Sequence, residues 1–480
     1  MIYNHKIEAT EIKTTVKVSQ DAKAGLQVVV GTAPVNMAAP GSKTANTPIV
    51  CMNFEEAKRK LGYSDDFAQY TLCEAMDVSF RKFGISPIVF INVLDPKKHK
   101  KALESLQGVV NGGRAVFDKA GILVDTLTVT SDSKTLERDK DFVAEFDDSG
   151  KLVLSFVNLE NGKTVTLGGF ALDPSMVSAD DIIGGVNSDS GEETGLEVVR
   201  QVYPKTGYVA GQLVVPKWSM DEKVAAVMAS KVEKVDGIFD MTAVIDIDSG
   251  KYKKYTDLAN AKKAMGIFDC NCVLCWPQVM IGDQVYHYST VWAAMAACTD
   301  AQNGDVPYKS PSNKEIMASA TVLSDGTEIY LDNTQAALVN SYGIVTAIND
   351  QGWKAWGNET AAYPDDRDVK NRYISCRRMM NWYRNRFITT YKEKVDDPMN
   401  RRLIESFIDS ENQYLNGLAA SGFIPSGCSV SYHEDKNPIE SILDGKIVFE
   451  TQIAFFPPAK HIVAEITFNP QLIKDALTEG

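Results

Sequence analysis

Cysteine is scarce, 8 in 480 residues. That is too sparse for a disulfide scaffold, so synthesis in a reducing cytosol is the expectation. Long apolar runs are missing too. None approaches the roughly 18 residues needed to cross a bilayer, and Met1-Ile2-Tyr3-Asn4-His5-Lys6 lacks the apolar segment of a secretory signal. Positive charge is in the minority: 50 Lys and Arg against 63 Asp and Glu give a net charge of −13. Nothing in that balance draws the whole chain to nucleic acid, whose phosphates would repel it. Histidine is rare, with 5 in the chain. His5, His99, His287, His433 and His461 sit in unrelated contexts, none beside a nucleophile with an orienting acid, so no catalytic triad can be assembled. What is present, 44% hydrophobic and 24% charged residues, is the balance of a chain that buries real cores. At roughly 150 residues per domain its length suggests about three domains.

Periodicity divides the chain. Ile12, Thr14, Val16 and Val18 alternate as in a half-buried strand, and residues 1–25 read as an arm that needs an existing sheet to join. Leu26–Ala33 and Pro87–Val93 are continuous apolar strands, with helical spacing at Phe54–Leu61 and Phe67–Phe83 between them. Strand, helix, strand in that order predicts a parallel α/β layer. From 113 to 204 the runs shorten and turn dipeptides such as Asn161-Gly162 separate them, the pattern of an inserted β-rich domain. Helix and strand alternate again over 205–350, completing a discontinuous α/β core with 26–112. The remainder, 351–480, reads as an α+β domain: a long helix over Asp366–Lys394, a second over Asn400–Ala420, and two alternating strands, Ile447–Phe455 and Ile462–Phe468. The fold class expected is therefore a mixed α/β multi-domain protein with extended terminal strands.

Chemical motifs are few. Asn161-Gly162-Lys163-Thr164 resembles the end of a phosphate-binding loop, but Val157 stands where the earlier glycine belongs, leaving a turn. There is no Gly-x-Gly-x-x-Gly after the first strand and no Gly-x-Ser-x-Gly elbow. Cys270, Cys272 and Cys275 are spaced like metal ligands, yet strand alternation sends Cys275 to the face opposite the other two, so buried thiols are the better reading. Asp246-Ile247-Asp248-Ser249-Gly250 lacks the fifth-position ligand and closing Glu of a calcium loop. No catalytic, cofactor or metal residue is assigned. The long helix stands out instead: Arg377, Arg378, Arg384 and Arg386 make it basic opposite an apolar stripe. In an acidic chain such a helix is a candidate contact for other copies or for a partner.

Several segments, in order, carry a resemblance. They include Gly31-Thr32-Ala33-Pro34, Asp180-Asp181-Ile182-Ile183-Gly184-Gly185, Tyr288-Ser289-Thr290 with its alanine-rich helix, and Asp300-Ala301-Gln302-Asn303-Gly304-Asp305-Val306-Pro307. Ser310-Pro311-Ser312-Asn313-Lys314, Ile374-Ser375-Cys376-Arg377-Arg378, Asp396–Asn400, Gly445 and Pro457-Pro458-Ala459 continue the series. With them the chain resembles the tail sheath proteins of contractile bacteriophages and phage-tail-like bacteriocins. The resemblance implies a non-enzymatic subunit without cofactor. It implies a helical or stacked-ring polymer of the chain around an inner tail tube protein, bounded by baseplate and tail-terminator proteins. It implies assembly in the bacterial cytoplasm into a virion tail or tail-like particle released on lysis, with no nucleic acid bound and no membrane insertion. It also implies that both chain ends pair with sheets of neighbouring copies, the arms being carried by Ile12, Val16, Val18, Ile462, Ile466 and Phe468. Arg377, Arg378, Arg384 and Arg386 then become the candidate tube or neighbour contact. The competing expectation is an α/β enzyme with an inserted β domain acting on a small molecule, for which no motif converges on a pocket. A surface adhesive protein is a third reading and lacks an export signal.

Overall fold

The computed structural model describes residues 22–41, 44–147 and 150–478. Its centre is an eight-stranded sheet. In chain order the strands are β1 (Gln27–Gly31), β2 (Pro48–Cys51), β3 (Ile88–Asn92), β4 (Gln212–Val214), β5 (Thr242–Asp246), β6 (Cys272–Cys275), β7 (Ile344–Asn349) and β8 (Trp353–Trp356). They lie in the order β2-β3-β1-β4-β5-β6-β7-β8, parallel from β3 to β7 with an antiparallel strand at each edge. Parallel strands are covered on both faces. Accordingly β1, β3 and β5 are buried at every position.

Helices cover the sheet. Helix α1 (Phe54–Leu61) starts at Asn53, whose Oδ1 accepts the Glu56 N–H at 2.9 Å while the Glu56 carboxylate accepts the Met52 N–H at 2.8 Å. The helix ends at Gly62, where φ is +78°. Helix α2 (Thr71–Met76) runs on into a π-helical turn, Asp77–Lys82. Helices α3 (Glu222–Lys231) and α4 (Leu258–Met265) follow their strands, α3 capped by Asp221 and α4 closed by Gly266. Helix α5 (Tyr288–Ala301) is buried almost all round. Its alanines let the backbone at Gly25 approach closely: a Cβ there would stand 2.9 Å from Ala297 Cα. Helix α6 (Asn333–Ser341) opens with an Asp332–Gln335 capping box.

The β-rich part runs from Lys100–Ala102 to Phe170–Leu172, as small antiparallel sheets around a separate core of Phe117, Ile122, Phe142, Leu152, Leu154, Val165 and Leu167. It is narrower than the 113–204 expected. Val177, Ile182, Leu196, Val198, Val199 and Val202 pack into the main core instead, through short helical turns too brief to register as periodicity. Gly184 and Gly195 hold that return in place, each with a Cβ position blocked by backbone of the other's segment. A Cβ on Gly184, where φ is +67°, would lie 1.8 Å from the Thr194 carbonyl oxygen. Gly184→Ala is expected to cost at least about 2 kcal/mol, read as a lower urea midpoint.

The C-terminal part begins later than residue 351, because Trp353–Trp356 completes the main sheet. The long helical stretch breaks at Tyr373, whose φ of −90° and ψ of 129° are extended. Helix α7 (Ile374–Tyr391) then pairs with α8 (Arg401–Ala420), which Asn400 caps. A two-stranded antiparallel sheet of β9 (Ser429–Tyr432) and β10 (Phe449–Gln452) lies against them. Helix α9 (Pro470–Thr478) ends the described chain. No helix of the described residues is long and apolar enough to cross a membrane.

Candidate functional site

The arginines of α7 turn inward. Arg378 is 1% exposed and grips Asp300 of α5 with both terminal nitrogens, Nη1 to Oδ1 at 3.1 Å and Nη2 to Oδ2. Its Nη2 also donates to the Ala24 carbonyl at 3.4 Å, joining α7, α5 and the start of the described chain. Arg377 donates from Nε and Nη2 to Asn381 Oδ1, at 2.9 and 2.6 Å, and Asn381 Nδ2 donates to Asn271 Oδ1 at 2.9 Å. Arg386 donates from Nη1 to Glu411 Oε1 at 2.6 Å, its guanidinium lying 3.5 Å from the centre of the Tyr414 ring. Only Arg384 is half exposed, and it pairs with buried Asp240. The expectation of a basic contact face is thus corrected for Arg377, Arg378 and Arg386. A helix-period pattern identifies the apolar stripe but not a polar face that another part of the chain closes over.

Glu411 is fully buried and also accepts the Tyr391 hydroxyl at 2.8 Å. Glu411→Ala would strand Arg386 without its carboxylate and is expected to lower stability by about 3 kcal/mol in urea unfolding.

Beyond Lys460 the chain leaves the body. Asn412 of α8 covers β9 by accepting the Val430 N–H at 2.8 Å and donating to the Val430 carbonyl at 3.0 Å. Among the described residues no strand pairs with the other edge of β10. Phe449 stacks on Phe407 at 4.6 Å, and Ile453 and Phe455 still pack on the C-terminal core. Among the described residues, the last ion pair between tail and body is that of Lys460, whose Nζ lies 2.6 Å from Glu359 Oε1. Glu359 is 5% exposed and accepts from Arg372 as well. After it, Ile462, Ile466 and Phe468 are 84%, 92% and 77% exposed and belong to no strand. Val463, Leu472 and Leu477 are exposed too. The tail therefore presents apolar side chains that its own body does not cover. The expected strand Ile447–Phe455 shortens to Phe449–Gln452, and Ile12, Val16 and Val18 lie outside the described residues.

A buried polar cluster went unread in the sequence. His287, just ahead of α5, shares its Nδ1 with Glu74 Oε2 at 2.7 Å, and its backbone N–H donates to Glu74 Oε1 at 2.8 Å. Asp246, at the end of β5, accepts the Ser289 N–H at 2.8 Å and the Ser289 and Ser219 hydroxyls. Asp77 accepts the Tyr286 hydroxyl at 2.7 Å. The Ser289 hydroxyl thus donates to a carboxylate and not to the imidazole, so the group ties α2, β5 and α5 together and does not form a nucleophile with its base. Burial opposes a charge on His287, but Glu74, by its charge and hydrogen bond, and then Asp246 outweigh it, raising the imidazole pKa above its ordinary value. The linked stabilisation is complete below about pH 6.5 and is lost as pH rises through the raised value. Thermal unfolding of wild type and His287→Gln is expected to differ more at pH 6 than at pH 9.

The cysteine trio is dispersed. Cys272 and Cys275 are buried within β6, where burial pushes both thiols well up, and Cys270 lies 3.8 Å from Arg377 Nη1. Asp248 closes a turn by accepting the Gly250 N–H at 2.8 Å. Asn161-Gly162 is likewise a turn, with Gly162 at φ +83°.

No family model matches the chain. Individual proteins do. It is 25% identical over 495 residues to the tail sheath protein of Burkholderia phage BcepMu, covering 98% of each chain. It is 25% identical over 354 residues to a putative prophage major tail sheath protein of Pseudomonas aeruginosa strain UCBPP-PA14, covering 71% of this chain and 87% of that one. In fold it matches the helical sheath of the anti-feeding prophage in its contracted state with a TM-score of 0.56, at 14% identity over 98% of this chain and 100% of that one. The sequence likeness from end to end and the shared fold agree: along its whole length this chain is similar to contractile tail sheath proteins.

Proposed function

We propose that the chain is the structural subunit of a contractile sheath, polymerising around an inner tail tube and shortening to drive that tube through a target envelope. The observation that carries this reading is the alignment with a tail sheath protein over 98% of both chains. The tail supports it. Residues 462–468 alternate apolar side chains, and among the described residues one edge of β10 is unpaired. In this reading the tail, with the arm carrying Ile12, Val16 and Val18, adds strands to sheets of neighbouring copies, main-chain bonds giving affinity and alternate side chains giving register. Four to six such bonds, at roughly 0.5–1.5 kcal/mol each, contribute only several kcal/mol per arm. Repetition along a lattice makes the sum cooperative. Bodies can then shift against one another while the strand links persist.

The remaining partners in this reading are the inner tube protein and the baseplate and terminator proteins. The particle forms in a bacterial cytoplasm and is released on lysis. Arg384 is the arginine of α7 left with enough exposure to meet one of them. The chain acts without catalysis: His287 and Ser289, the nearest approach to a reactive pair, are both committed to carboxylates. Electron microscopy of the purified protein tests the reading. Tubes or stacked rings with a central bore are expected, and a monodisperse small oligomer at every concentration would overturn it.

A further inference from the structure

Small patches of opposite charge stand near the two edges of the eight-stranded sheet. At the β8 edge a cleft of about 790 Å³ opens between β8, α6, the 309–314 segment and the tail at 458–461. Lys309, Lys314 and Lys460 line it against a single carboxylate, Glu359. Glu359 is already shared by Arg372 and Lys460, whereas Lys309 and Lys314 make no ion pair among the described residues. Trp356 and Ala337 add apolar surface.

At the β2 edge stands an acidic hairpin. Its strands are Gly185–Val186 and Glu193–Thr194, and Gly195 just after it donates its N–H to Asn46 Oδ1, beside β2, at 3.0 Å. Asn187 Oδ1 fixes the tip by accepting the N–H groups of Asp189 and Ser190 at 2.9 and 3.0 Å. Asp189 and Glu192 are exposed and make no ion pair among the described residues. Val186, 53% exposed, places an apolar contact beside them. At about 4.8 Å per step, the eight strands set hairpin and cleft roughly 34 Å apart on opposite sides of one body.

We infer that the acidic hairpin of one copy seats in the lysine-lined cleft of the next. The inference rests on the polymer reading above and adds a contact between bodies that is separate from the strand links. Complementary patches on opposite sides of a subunit make a head-to-tail interface, which repeats into a ring or a helix. In a chain of net charge −13, copies repel at most orientations. A local pair of opposite patches therefore selects one orientation and register. Lys460 lies in this cleft and also anchors the tail, so the same neighbour contact bears on the point where the tail departs.

Charge reversal tests it in full-length protein. Copies carrying Lys309→Glu with Lys314→Glu, and copies carrying Asp189→Lys with Glu192→Lys, are each expected to fold with wild-type circular dichroism and to form no tubes. Mixed in equal amounts they are expected to polymerise, because the acidic hairpin of the first fits the unaltered cleft of the second and the basic hairpin of the second fits the acidic cleft of the first. If a reversal impairs folding, Lys309→Gln with Lys314→Gln replaces it, with at least a tenfold rise in critical concentration expected. Single reversals that polymerise normally, a mixture that stays dispersed, or neutral variants with an unchanged critical concentration would each overturn the contact. Failure of wild type to polymerise would instead remove the reading beneath it.

Discussion

A chain ending at Lys460 is expected to fold as well as the full chain and to form no polymer at all. The side chains that removal would take away, from Ile462 through Leu477, are largely exposed, so no core loses volume. The Lys460–Glu359 pair and the packing of Ile453 and Phe455 stay in place. Thermal unfolding should move by no more than about 2 °C, as for surface changes generally, while electron microscopy should show no tubes or rings. The comparison separates folding from assembly because the deletion leaves the body whole. Tubes of ordinary length from the shortened chain would show that the tail is not a link between copies. Removal of residues 1–20 is the companion experiment, with the same outcome expected from the alternation of Ile12, Val16 and Val18.

The second large effect concerns Arg378. Its replacement by Ala would leave Asp300, 2% exposed, as an unpaired charge between α5 and α7. Breaking a buried pair by removing one partner costs about 3–5 kcal/mol. The Ala24 carbonyl would lose its donor as well. Urea unfolding followed by tryptophan fluorescence should report a loss of that size, and Trp382 near the site makes the signal local. Replacing both partners, Arg378→Met with Asp300→Leu, is expected to recover most of it, since the desolvation cost disappears with the charges. Arg384→Gln, at a half-exposed guanidinium, should cost far less. A stable, normally folded Arg378→Ala protein that fails only to assemble would restore the surface role that its burial removes.

These two residues mark where the sequence could be read and where it could not. The α/β core was legible because parallel strands such as Val28–Val30 and Ile88–Ile91 are apolar without alternation, and because Asn53, Asp221 and Gly266 are strong helix punctuation. In the C-terminal part, α8 was legible from Pro398 to Gly422, but the break at Tyr373 was not, since a tyrosine carries no breaking signal. Arg378 was visible as a charge; its partner lies 78 positions away, and no local pattern links them. The pairing of His287 with Glu74, 213 positions apart, was hidden for the same reason. Chain-end alternation at Ile462–Phe468 was legible, and Ile462, Ile466 and Phe468 are exposed there, but the segment forms no strand within its own body.

The position of the Lys460 anchor also bounds how the particle can move. Pro457 and Pro458 precede it, and proline pairs favour a stiff extended backbone. If the tail links copies as proposed, its free span therefore begins at residue 461, after the Lys460–Glu359 pair. At about 3.4 Å per residue, 461–469 span at most roughly 30 Å before α9 begins. Under that proposal, any rearrangement that keeps neighbours linked must hold each acceptor inside that radius, so large excursions would swing around Lys460 and not pull away from it.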